Sequence, residues 1–122
     1  MSVPRCRELL VWRQAIRLVL ESYRLASSLP RRERYERGAQ IRRAAVSIPA
    51  NIAEGNGRLH RGDYIHHISI ARGSLMELDT HFEIGRALGY FRAEDLARTS
   101  ELVDHISRML MRRATRLRAS VW

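Results

Sequence analysis

The chain has 122 residues, which is enough for one hydrophobic core and too few for two independent ones. Hydrophobic residues make up 45% of it beside three prolines and seven glycines, a composition that excludes disordered and fibrous classes. All 22 basic residues are arginine and the formal net charge is +9, which points toward polyanionic partners.

A membrane span needs about 20 consecutive apolar residues. The best candidate, between Leu9 and Leu29, is broken by Arg13, Arg17, Glu21 and Arg24. No secretory signal follows Met1 to Arg7, and the single cysteine, Cys6, has no intrachain partner for a disulfide. The expectation is a cytoplasmic protein with no membrane partner.

Four segments carry helical spacing and none shows sustained alternation, so the class is all-α. In the first, about residues 7–27, Trp12, Ile16, Val19, Tyr23 and Ala26 recur at alternating steps of four and three. A second stripe, Val11, Ala15, Leu18 and Leu25, runs beside it. The combined arc is wider than one core face needs, and the surplus is predicted to pack against another subunit.

Ser27, Ser28 and Pro30 end this segment. The second helix is expected over about 31–55, with Tyr35, Ile41, Ala45, Ile48 and Ile52 inward and a kink at Pro49. Gly55, Asn56 and Gly57 suit a left-handed helix end. The third is expected over about 62–88, with Asp63 at its N-terminus and Ile65, Ile68, Leu75, Leu78 and Phe82 inward.

Gly73 and Ser74 at the middle of the third helix predict close approach by Ala44, Ala45, Ser47, Ala50 and Ala53 of the second. Gly89 closes the third helix. Glu94 and Asp95 open a fourth over about 93–118, whose stripe is Leu96, Val103, Ile106, Leu110 and Leu117. Short connections between four long helices predict a single-domain, antiparallel up-down-up-down four-helix bundle.

Charge is unevenly placed. Residues 62–107 hold four arginines against eight acids, whereas the rest holds 18 against five. Two clusters stand out: Arg31, Arg32, Arg34, Arg37, Arg42 and Arg43, and Arg112, Arg113, Arg116 and Arg118 with Arg108. These are the candidate phosphate contacts. Arginines also suit bidentate pairing with carboxylates, so a protein partner or a subunit interface is the alternative.

No catalytic pattern is present: Ser47 and Ser74 lack a nucleophile-elbow motif, and Gly55-Asn56-Gly57 ends a helix where a phosphate loop would open one. Glu77 and His81 share a face, but the Glu-x-x-His pairs of bundle metal sites are missing. No enzyme, metal or cofactor is expected. Arg43, Ser47, Asn51 and Glu54 lie along one face of the second helix, and Glu54 is within plausible reach of Arg72 on the third. Ser47, Asn51, Glu54 and Arg72 are therefore predicted to form a structural polar network, so that Glu54→Ala would lower the melting temperature.

Three segments carry a family resemblance: Leu10-Val11-Trp12 with Ala15; Gln40 to Gly55, containing Ser47-Ile48-Pro49-Ala50-Asn51-Ile52-Ala53-Glu54-Gly55; and Ile70 to Leu78. The chain resembles the four-helix bundle proteins encoded in intervening sequences of bacterial 23S ribosomal RNA genes. It is similar, more distantly, to the accessory variability determinant of diversity-generating retroelements. The resemblance implies a pentameric, ring-shaped homo-oligomer with a basic face, and the arginine clusters make a non-enzymatic adapter for RNA or a ribonucleoprotein the expected function. Members commonly mix lysine with arginine, and this chain departs from that by using arginine alone.

Overall fold

A computed structural model describes residues 5–119. After a short 3-10 turn at Cys6–Glu8, helix α1 (Leu10–Ser27) buries Val11, Ala15, Leu18, Ser22, Leu25 and Ala26. The core stripe is thus the second of the two read from the sequence. Trp12, Ile16 and Val19 are half-buried and Tyr23 is exposed, so the first stripe is a shoulder of the bundle. Ala26 of the first stripe is also buried; both stripes have helical period, and only the neighbouring helices decide which one faces inward.

The second predicted helix is two. A single turn, α2 (Arg31–Arg34), precedes α3 (Arg37–Asn56), and Tyr35 between them is 87% exposed. Tyr35 stands six residues before Ile41, a step that rotates it well away from the Ile41 face, so it never belonged to the core stripe. Leu29 and Gly38 close the core at this end, where a Cβ on Gly38 would lie 3.7 Å from Leu29 Cδ1. Ile41, Ala45, Ile48 and Ile52 are buried as expected, and α3 continues through Pro49.

Helix α4 (Arg61–Ala87) buries Ile68, Ala71, Leu75, Leu78, Phe82 and Gly85, and Ile65 is half-buried. Gly89 turns the chain with φ +82°, in the left-handed region that favours glycine. Helix α5 (Ala93–Ala119) buries Leu96, Thr99, Val103, Ile106, Leu110 and Ala114, leaving Leu117 half-buried. Asp95 caps this helix by accepting the Arg92 N–H at 3.0 Å.

Each long helix packs on two others, α1 on α3 and α5, and α4 on α3 and α5, with the α3–α4 contact the most extensive. Leu18, Ile41, Ile48, Leu75, Leu78, Ile106 and Leu110 are fully buried where these faces meet. Each contributes about 1.5–3 kcal/mol by leaving water. Among the described residues no strand occurs, and no helix is long and apolar enough to cross a membrane.

The close approach between α3 and α4 is made by Gly55, not Gly73. A Cβ on Gly55 would stand 2.8 Å from His67 Cβ and 2.9 Å from Tyr64 Cδ1. Gly73 is exposed with open space around its missing side chain. Gly55 also lies within α3, which runs on to Asn56 and is capped by Gly57 at φ −87°, so no left-handed residue ends it. A second tight contact sets Gly85 against Phe91: a Cβ there would fall 2.5 Å from the ring.

Candidate nucleic-acid interface

Contacts along α3 and α4 run in opposite senses. Arg37 meets His81, Ser47 meets Ser74, Asn51 meets His67, and Gly55 meets Tyr64. Arg31 to Arg43 therefore lie at the end of the bundle where α1 and α4 finish. The α5 cluster lies at the other end, where Arg112, Arg113 and Arg116 flank Leu10 and Val11 of α1. At 1.5 Å per residue, the length of α3 separates the two ends by about 30 Å. The fold thus keeps the two predicted clusters apart.

At the first end, acids pair with arginines that lie outside the predicted cluster. Glu21 accepts from Arg24 at 2.7 Å and from Arg98 at 3.4 Å, Glu83 pairs with Arg86 at 3.0 Å, and Asp95 with Arg92 at 3.4 Å. These hydrogen bonds and charges hold the Glu21, Glu83 and Asp95 carboxyls below their ordinary values and raise Arg86 and Arg92.

Three arginines of the first cluster do structural work. Arg37 donates to Glu33 at 3.0 Å and to His81 Nδ1 at 3.4 Å. Arg34 donates to the Leu29 carbonyl at 3.0 Å, and Arg42 reaches the Arg34 carbonyl at 3.5 Å, which satisfies backbone acceptors around the break between α2 and α3. Arg31, Arg32 and Arg43 are exposed and, among the described residues, unpaired.

At the second end the balance is different. Among the described residues, none of Arg108, Arg112, Arg113, Arg116 and Arg118 has a carboxylate partner. Arg5, Arg7, Arg13, Arg58 and Arg61 belong to the same end, against Glu8, Glu54 and Asp63. Arg58 and Glu54 are the closest opposite charges between these two sets among the described ion pairs, at 3.8 Å. Arg112, Arg116 and Arg118 are exposed and Arg113 is half-buried. The Tyr64 hydroxyl is buried with no well-formed hydrogen bond among the described residues; burial raises its pKa, and the charge and close approach of Arg113 oppose the rise.

The predicted polar network is partly present and differently completed. Asn51 Nδ2 donates to the Ser47 carbonyl at 2.8 Å and to Ser47 Oγ at 3.1 Å, and Ser47 Oγ bonds Ser74 Oγ at 2.8 Å. With its amide so oriented, Asn51 Oδ1 accepts from His67 Nδ1 at 3.0 Å, which places the imidazole proton on Nδ1. Glu54 approaches the same nitrogen at 3.6 Å and Arg58 at 3.8 Å. It does not pair with Arg72, which lines a cleft toward α5 with Ile68, Leu110 and Arg118. Arg43 also stands outside the network.

The sequence reading placed Ser74 against Ser47's stretch of the second helix, but it did not include His67, Ser74 or His81 in the network. They recur every seven residues on the flank of α4 that faces α3, and that heptad spacing was the available signal. His81 uses the opposite tautomer to His67: its Nδ1 accepts from Arg37, and its Nε2 lies 3.5 Å from Glu77. Among the described residues, no three His, Cys, Asp or Glu side chains gather as a metal would require.

The fold and its charge define an all-α helical-bundle protein with one strongly basic pole. More particularly, the chain belongs to the 23S rRNA-intervening sequence protein family, whose model matches residues 7–112. No curated protein matches the chain.

Proposed function

We propose that the chain is a non-enzymatic adapter that binds RNA or a ribonucleoprotein as a homo-oligomer. In this reading the four long helices form an up-down-up-down bundle and the subunits close into a ring, most simply a pentamer. The observation that carries it is the set of arginines on the last turns of α5 that have no carboxylate partner among the described residues. An unneutralised guanidinium is free to take a phosphate, whereas Arg37 is already engaged within the chain. Arg31, Arg32 and Arg43 supply a second, separate contact.

Two surfaces support assembly. The shoulder of α1 continues into an apolar groove where Tyr23 meets Ala39 and Val46 of α3, with Arg42 and Arg43 at its edge. The outer face of α4 carries Ser69, Ile70, Gly73, Thr80 and Ile84, all exposed and uncharged, with Glu77 the charge among them. Gly73 costs this helix about 1 kcal/mol relative to alanine, and nothing within the chain offsets it. A neighbouring subunit would.

The test is a titration of labelled structured RNA and duplex DNA at two salt concentrations, on protein whose mass is set by light scattering. The expected slope of log affinity against log salt is about −0.9 per duplex-DNA phosphate and about −0.7 for single strands. Replacing Arg112, Arg116 and Arg118 by glutamine should flatten it. Binding that ignores salt would exclude the mechanism.

A further inference from the structure

Between the first turn of α1 and the last turns of α5 lies a cleft of about 160 Å³, lined by Leu10, Val11, Met109, Arg112, Arg113 and Arg116. Three of its six lining residues are cationic, no carboxylate lines it, and none of the three guanidiniums is ion-paired among the described residues. At the opposite end Arg24, Arg37, Arg86 and Arg92 meet Glu21, Glu33, Glu83 and Asp95, and the groove that Arg42 and Arg43 edge is lined mainly by uncharged residues. Three like charges side by side repel one another, and an anion between them relieves that repulsion.

The cleft has further features suited to an anion. Among the described residues no side chain caps the first turn of α1, so the positive end of an 18-residue helix adds to the potential there. Arg113 is half-buried, and its guanidinium lies close enough to the Tyr64 hydroxyl, which has no other partner among the described residues, to oppose the rise in that group's pKa, so it is restrained more than a freely solvated arginine.

We propose that this cleft is a binding site for one terminal phosphate of a nucleic acid. Volume and charge favour that ligand over an internal phosphodiester. A terminal phosphate is a compact group with three unesterified oxygens and a charge of about −1.5 to −2, whereas an internal diester has two such oxygens and one charge. Three guanidinium forks match three oxygens. The inference rests on the nucleic-acid reading above and specifies which part of the strand the pole takes.

The test compares one internally labelled RNA hairpin carrying a 5′-phosphate, a 3′-phosphate or hydroxyls at both ends, bound to the full chain at low salt. At least one phosphorylated form should bind about tenfold more tightly than the hydroxyl form, and the two arms distinguish which end is read. Arg113→Gln with Arg116→Gln should lower affinity for all three RNAs and erase the ratio between the phosphorylated and hydroxyl forms, with thermal unfolding still cooperative; a ratio that survives in this variant would overturn the site. Equal affinity of all three RNAs would overturn the terminal-phosphate site and leave the adapter reading standing. If no RNA binds, inorganic phosphate is titrated against chloride at matched ionic strength. A phosphate-specific rise in melting temperature, absent from the double variant, would retain the site and sink the nucleic-acid reading; no such rise would overturn both.

Discussion

Asn51 Oδ1 lies 3.0 Å from His67 Nδ1, joining α3 to α4 midway between the Gly55–Tyr64 contact and the Ser47–Ser74 hydrogen bond. The same Asn51 holds Ser47 through its amide nitrogen. One side chain thus serves partners on two helices, and sliding α3 along α4 by a turn would break all of them together. Apolar packing alone tolerates such a slip better, because isoleucine and leucine contacts are non-directional.

Asn51→Leu should therefore lower stability by about 2 kcal/mol, since it strands the imidazole N–H of a half-buried His67 and removes a donor from Ser47. Thermal unfolding followed by circular dichroism would show a fall of roughly 5–15 °C. Glu54→Ala, which the sequence reading ranked as destabilising, should change stability by no more than about 0.5 kcal/mol. Its carboxylate is 60% exposed, with its nearest cations at 3.6 and 3.8 Å.

Gly85→Ala and Gly73→Ala should act in opposite directions on the same helix. At Gly85 the new methyl meets the Phe91 ring and should cost about 1–3 kcal/mol. At Gly73 it meets open space within the chain and should add about 0.5–1 kcal/mol of helix propensity. If the outer face of α4 joins subunits, Gly73→Arg should reduce the mass seen by light scattering while leaving helix content unchanged. An unaltered mass would place the subunit contact elsewhere.

Asp79 predicts a stability gain on neutralisation. Burial raises its carboxyl above the ordinary 3.8, and the neighbouring charges of Glu83 and Asp104 push it in the same direction. The folded chain therefore holds this proton more tightly than the unfolded one. Stability from the group is fully present below 3.8 and is lost as pH rises through the folded value. Asp79→Asn should raise the melting temperature at neutral pH, with the advantage vanishing on acidification; an advantage independent of pH would refute the assignment.

Glu21 predicts the reverse sign. Hydrogen bonds from Arg24 and Arg98 lower its carboxyl below the ordinary 4.5, so it contributes stability above that value and loses it as pH falls through the folded one. Glu21→Gln should cost up to about 1 kcal/mol at neutral pH and nothing in acid, because Arg24 and Arg98 are 60% and 76% exposed and well screened. Equal melting temperatures at neutral pH would mean that the bridge between α1 and α5 contributes nothing.

Much of the arginine pattern was legible only as composition. Arg37 and Arg112 look alike in the chain, each in a run of basic residues. What distinguishes them is the acid four residues earlier in one case, and His81 brought in from 44 residues away by an antiparallel neighbour. The Glu54–Arg72 expectation failed for a related reason. Helical spacing places both residues near one another's helix, but the rotation of α4 turns Arg72 toward α5 and brings His67 and Ser74 to α3.

By itself the sequence determined the helical class, the four long apolar repeats, the turn at Gly89 and the family, because each depends on local spacing or on a contiguous motif. Tertiary structure alone decided which stripe of α1 is core, which glycine admits a neighbouring helix, and which arginines remain unpaired. Those choices depend on the rotation of each helix about its axis and on partners distant in sequence. Helical periodicity describes a face and carries no information about what the face meets.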